Sequence, residues 1–119
     1  MKKIFYNKLI RDKIPAKMER LRVQYETRTL RVGEFITELL KKVEEEASAL
    51  VHTKTHQELI EELADVQDVI DEIKKVKKIK DEDLLIAQEA NKEKKGGFKK
   101  RLFLLWSEDT GYKTNEKRR

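Results

Sequence analysis

The sequence predicts an all-α fold, and three observations carry that prediction. Charged residues make up 43% of the 119 positions and hydrophobic ones 38%, a ratio that suits long amphipathic helices. One proline and four glycines supply few of the tight turns a sheet protein needs. Apolar residues recur at helical spacing over two long stretches, and the short connection between them predicts an antiparallel pair.

The elements follow in order. Tyr6-Asn7-Lys8-Leu9-Ile10-Arg11-Asp12-Lys13-Ile14-Pro15 reads as irregular or extended chain, because Ile14, preceding a proline, is pushed away from helical geometry. Pro15 suits the first turn of a short helix through about Leu21. Gln24 to Leu30 alternates weakly, as a short extended piece does, and Gly33 is expected to break the chain. From Glu34 to Val51, residues Phe35, Ile36, Leu39, Val43, Ala47 and Leu50 fall within one arc of the helical wheel. From Thr55 to Lys78 a second stripe is formed by Leu59, Leu63, Val66, Ile70, Ile73 and Val76. Lys77, Lys78 and Lys80 then meet the negative pole of that helix. Asp81 is the expected N-cap of a third long helix reaching about Lys95, and Gly96-Gly97 stops it. Leu102 to Trp106 reads as a short buried strand or docking segment. The expected architecture is thus an antiparallel helical bundle with a short extended C-terminal segment, its final residues 113–119 frayed.

Composition excludes several classes. The length suits one modest core. Without cysteine there is no disulfide scaffold, thiolate zinc site or cysteine nucleophile, which fits a reducing compartment. No apolar run approaches the ~20 residues of a membrane span, and Met1-Lys2-Lys3-Ile4 is not followed by a signal-peptide core. A cytoplasmic protein with no membrane partner is expected. The net charge of +5 is unevenly placed: residues 1–91 hold 18 basic and 19 acidic residues, whereas residues 92–119 hold 10 and 4. Between Lys41 and Glu72, ten acidic residues face three lysines. A nucleic-acid module spreads its basic face across the fold, so nucleic acid is not the expected partner.

Chemistry concentrates where acid meets the apolar stripes. Glu46 lies about 60° from the centre of the first stripe at 3.6 residues per turn, and therefore looks towards the bundle. Glu62 and Asp65, three apart, stack on one side of the second helix, with Glu58 a turn earlier. An antiparallel pair brings Glu46 towards both. Such carboxylates repel and carry a desolvation cost unless a cation joins them. Oxygen ligands without His or Cys select hard ions such as Mg²⁺. Ion pairing with Lys41, Lys42 or Lys74, or simple exposure, is the other reading of the same residues.

Three stretches resemble a known family. Glu45-Glu46 followed by Glu62-Leu63-Ala64-Asp65 is similar to the EExxE…ExxD signature of the all-α NTP pyrophosphohydrolases, the MazG-like and phosphoribosyl-ATP pyrophosphohydrolase-like group. Tyr6 to Pro15 resembles the YNKLVRDKIP opening of one branch, and Lys94-Lys95-Gly96-Gly97-Phe98 its KRGGF stretch. The matches run in order through residues 6 to 106. The resemblance implies a helical domain over residues 1–106 with a basic tail over 107–119, assembled as a homodimer or higher homo-oligomer. It implies hydrolysis of a nucleoside triphosphate to monophosphate and pyrophosphate with Mg²⁺, or Mn²⁺ in its place, in clearance of the nucleotide pool. By motif position Glu46, Glu62 and Asp65 are metal ligands, and Glu45 binds through water or orients the nucleophile, so Glu45 and Glu46 are the catalytic candidates. Lys8, Arg11, Lys13, Lys42 and Lys95 are the candidates for phosphate contact.

One position departs from the pattern: the third glutamate of EExxE falls at Ala49. Its loss removes one carboxylate from the implied set and favours a rival reading, a helical protein that binds a nucleotide or a partner chain with little or no turnover. A basic nucleic-acid-binding module acting through the C-terminal end is a third. Phe98, Phe103, Trp106 and Tyr112 can face a nucleobase, although such aromatics more often serve a core or subunit interface. His52 and His56 lie near the helix connection and are expected at the surface.

Overall fold

A computed structural model describes residues 1–116, and among these every regular element is helical. Helix α1 spans Ile14–Arg20, α2 Val32–Ser48, α3 His56–Val76 and α4 Asp81–Lys95, with a single 3₁₀ turn at Leu50–His52. Compactness divides the chain into two units, residues 1–83 and 84–119.

Local chemistry accounts for the boundaries in the first unit. Pro15 occupies the first turn of α1, where its missing N–H has no helical partner, but Ile14, expected outside helical geometry, is the helix's first residue. Arg22, at φ +56°, ends that helix, and the Val23 N–H reaches back to the Met18 carbonyl at 3.0 Å. Gly33 does not break the chain: α2 begins one residue earlier, at Val32. The N–H groups of a first turn lack helical partners in any case, so glycine costs little there. At the other end α2 stops at Ser48, and the 3₁₀ turn takes up the remainder of the expected helix. Thr55 caps α3 by accepting the Glu58 N–H at 3.1 Å, while its hydroxyl donates to Glu58 Oε2 at 3.2 Å. Lys78, at φ +55°, closes α3, the Ile79 N–H bonding to the Lys74 carbonyl at 2.8 Å.

Helices α2 and α3 pack against each other. Only seven residues join them, too few to return the chain along a 17-residue helix of about 25 Å, so the pair is antiparallel. Their interface carries the core. Leu39, at 5% exposure, is the single buried hydrophobic side chain among the described residues. Phe35, Ile36, Val43 and Ala47 on α2, with Val66, Val69, Ile70 and Ile73 on α3, are half-buried around it. The stripe expected along α3 is covered over its C-terminal part only; Leu59 and Leu63 stay 37% and 50% exposed, and Ile60 is exposed beside them.

In the second unit, α4 ends at Gly96, whose φ of +76° suits glycine and whose N–H bonds to the Lys92 carbonyl at 2.9 Å. The expected strand is absent. Residues 102–106 carry no regular structure and are exposed, Trp106 at 81%, so Leu102 to Trp106 has neither the pairing nor the burial of a core strand. Phe98, Phe103 and Tyr112 are exposed too, and none belongs to a core. Residues 113–116 form no helix or strand, and the rest of the expected basic tail, residues 117–119, lies outside the described residues. No helix is long and apolar enough to cross a membrane among the described residues.

Candidate metal centre

The antiparallel pair brings together the three carboxylates singled out from spacing. Glu46 from α2 and Glu62 and Asp65 from α3, each half-buried, offer oxygens that all lie within 4.8 Å of one another. Around Mg²⁺, with oxygens at about 2.0–2.1 Å in octahedral geometry, opposed oxygens stand roughly 4 Å apart and adjacent ones roughly 3 Å, so the three carboxylates have to draw closer to share one ion. Glu62 Oε2 is sealed from solvent and has no hydrogen-bond partner. Burial, and then the charges of Asp65, Glu46 and Glu61, push the Glu62 carboxyl above its ordinary range. An orphaned acceptor beside two like charges, with only hard oxygen donors around it, fits a divalent cation. The residues present fit Mg²⁺.

Cations ring this cluster, and they come mostly from far along the chain. Lys42, one turn before Glu46, is 15% exposed and holds three acceptors. Its Nζ lies 3.0 Å from Glu45 Oε2, 3.5 Å from Glu46 Oε1 and 3.0 Å from the Leu9 carbonyl oxygen. The last contact ties the irregular N-terminal segment to α2. Lys8 Nζ then donates to Glu45 Oε1 at 2.9 Å, and Arg11 Nη2 to Asp65 Oδ1 and Asp68 Oδ2, each at 2.9 Å. These pairs raise the affinity of Lys8 and Arg11 for their protons, through Glu45 and Asp68 chiefly. Glu45 is pushed up by burial, but its hydrogen bonds from Lys8 and Lys42 outweigh that and hold it below the usual carboxylate range.

A carboxylate whose folded value is depressed stabilises the fold above its unfolded value, and that contribution is lost as pH falls through the depressed one. Lys8→Met should therefore lower stability at neutral pH by at most about 1 kcal/mol, the range for exposed pairs. Once acid has protonated Glu45, the variant should match the wild type. Denaturant unfolding at both pH values checks this; an equal loss in both would assign the effect to packing.

The remaining candidates lie outside these contacts. Lys13 precedes α1, and its side chain makes no ion pair among the described residues. Lys95 ends α4 in the second unit, exposed. Lys41 pairs with Glu38, and Lys74 with Asp71 and Asp81, away from the three clustered carboxylates. His52 and His56 are exposed, as expected. Sequence reasoning missed Asp68, although its spacing of three from Asp65 places it on the same helix side and was a usable signal. It also missed the Leu9 carbonyl, for which the sequence holds no signal.

The site defined here is a helix-pair carboxylate cluster fringed by Lys8, Arg11 and Lys42. Compared with known protein families, curated proteins and solved structures, the chain matches none.

Proposed function

We propose that this chain is a Mg²⁺-dependent nucleoside triphosphate pyrophosphohydrolase of the all-α, MazG-like type. The observation that carries this reading is the convergence of Glu46, Glu62 and Asp65 across α2 and α3, with Glu62 Oε2 unpartnered and three cations alongside. Acid that collects a divalent cation next to base that meets a phosphate chain is what triphosphate hydrolysis requires.

Each residue then has a task. Glu46, Glu62 and Asp65 would hold Mg²⁺, which when bound neutralises charge on the phosphate oxygens. Glu45, kept ionised by Lys8 and Lys42, is the group that can accept a hydrogen bond from the attacking water and orient it. Water would add at the α-phosphorus as its proton passes to the Glu45 carboxylate, the bond from that phosphorus to the α,β-bridging oxygen would break, and pyrophosphate would leave with the bond's electron pair. Arg11 and Lys8 are tethered to carboxylates of the same cluster, and both can turn to the phosphate chain as it enters.

The protein acts on this reading as a homodimer or higher homo-oligomer. Leu59, Ile60 and Leu63 form an exposed apolar patch on α3, next to Glu62, and a core with one buried hydrophobic side chain among the described residues is small for a stable lone unit.

Pyrophosphate release is the direct test, on standard and modified nucleoside triphosphates with Mg²⁺ or Mn²⁺. A screen in which none yields pyrophosphate ends the hydrolase reading. Ala49 supports the second reading, a nucleotide- or partner-binding protein with little turnover. It caps α2 with helical angles, φ −75° and ψ −20°, so a glutamate fits the backbone there. Ala49→Glu is expected to tighten Mg²⁺ binding by about 10–100-fold, the scale of ligand-shell changes at metal sites. Calorimetric titration of both proteins measures it; equal affinities would make Ala49 irrelevant to the site.

A further inference from the structure

Arg11 is shared between two carboxylates of α3. Its Nη2 donates to Asp65 Oδ1 and to Asp68 Oδ2, each at 2.9 Å, across 54 and 57 residues of chain. A spacing of three puts both acids on one side of the helix, within reach of one guanidinium. An arginine facing a single carboxylate favours another geometry, in which two parallel N–H bonds take both oxygens. Here one nitrogen straddles two acids, and Asp65 gives Arg11 one oxygen. Asp65 also offers an oxygen to the set formed with Glu46 and Glu62, whereas Asp68 lies outside that set and is more than half exposed.

We propose that Asp68 is a positioning residue for the metal centre: it draws Arg11 part of the way off Asp65, so that Asp65 keeps an oxygen for a divalent cation. The inference rests on the cation reading of the three carboxylates. Asp65 is claimed from two sides, by the guanidinium and by the ion, and each oxygen that Arg11 takes is lost to the ion. Sharing the guanidinium between two acids weakens its hold on either one. Without Asp68 the fork closes on Asp65 and engages both oxygens. A cation must then displace an arginine before it binds. The sharing has a second result. With Nη2 committed to the acids, the N–H groups on Nε and Nη1 of Arg11 are left for phosphate oxygens. Asp68 thus acts through Arg11 and is not itself a ligand.

Calorimetric titration with Mg²⁺ alone, run as a double-mutant cycle, tests this. Asp68→Asn is expected to weaken Mg²⁺ binding by about 10–100-fold, the scale for groups that orient a metal's ligands. Arg11→Met removes the competitor and should bind Mg²⁺ at least as tightly as the wild type. Added to Arg11→Met, Asp68→Asn should weaken binding by no more than about threefold, the share of one screened charge a few ångströms away. Asp68→Glu keeps the charge and can keep the bond, so it should bind nearly as the wild type does. Arg11 and Asp68 are both more than half exposed, and neither substitution opens the core. An equal loss from Asp68→Asn with and without Arg11 overturns the proposal, because Asp68 would then act by charge alone. A loss of about tenfold from Arg11→Met overturns it too, since Arg11 would then be orienting Asp65 and not competing for it. Unchanged binding in Asp68→Asn reduces the pair to a surface tether of the N-terminal segment, which also overturns it. A wild type that binds no Mg²⁺ ends both this inference and the hydrolase reading. The expected cycle without pyrophosphate from any triphosphate ends the hydrolase reading alone; pyrophosphate release with additive variants ends this one alone.

Discussion

Glu62→Gln should abolish pyrophosphate release and, with no divalent cation present, raise the melting temperature. Both effects have one cause. The wild-type carboxylate is held above its ordinary proton affinity by burial and by Asp65, Glu46 and Glu61, and its Oε2 accepts nothing. Because its folded value is raised, the metal-free protein loses stability as pH climbs from the ordinary carboxylate value through the raised one. The amide carries no charge to strand, and its NH₂ can donate to the neighbouring carboxylates. Bound Mg²⁺ would do the same service for the wild type. At a hundred times its dissociation constant, an ion that binds only the folded state adds about 2.7 kcal/mol, a rise on the order of 10 °C for a unit of this size. The variant should lose most of that response. Thermal unfolding followed by circular dichroism, with and without Mg²⁺, measures both halves. A lower metal-free melting temperature, or an undiminished response to Mg²⁺, would sink the assignment of Glu62 as a ligand.

Leu39→Ala should be the most damaging substitution for the fold. Removing a buried leucine typically costs about 2–5 kcal/mol, the lost transfer energy plus that of the cavity left behind. Typical small domains hold only about 5–15 kcal/mol in total, and Leu39 is the single buried hydrophobic side chain among the described residues. The α2–α3 contact it fills also holds Glu46 against Glu62 and Asp65, so Mg²⁺ affinity should fall together with stability. Leu63→Ala is the control. At 50% exposure its loss should change the stability of the helix pair by no more than about 0.5 kcal/mol. In an oligomer that covers α3, the wild type gains stability with protein concentration, and the same change should reduce that gain. Denaturant midpoints at two protein concentrations separate the cases; a small effect at Leu39 would mean that the core lies elsewhere.

The helices were legible because their causes are local. A 3.6-residue period sets α2 and α3, Pro15 opens α1, Thr55 begins α3 and Gly96 ends α4, each acting through atoms within a turn of itself. Gly33 misled because a glycine inside a helix and one in its first turn look alike in a sequence; which N–H groups lack partners depends on where the helix starts. The Leu102–Trp106 run misled as well, since hydrophobicity states a need for cover and says nothing of what supplies it.

The acidic cluster with its fringe of cations divides along the same line. Three of its members could be placed from the sequence, because wheel angle aims Glu46 inwards and a spacing of three stacks Glu62 on Asp65. Their approach to within 4.8 Å needed α2 and α3 to pack. Lys42 meets Glu45 and Glu46 within a turn of its own helix, whereas tertiary structure alone decided the other two cations. Lys8 meets Glu45 across 37 residues and Arg11 meets Asp65 across 54, on a segment with no periodicity, turned at Asn7 with φ +46° and tied down by the bond from Lys42 to the Leu9 carbonyl. A side chain on a helix has its direction set by its neighbours in sequence. One on an irregular strap has its direction set by whatever the strap is fastened to, and that is a property of the folded chain.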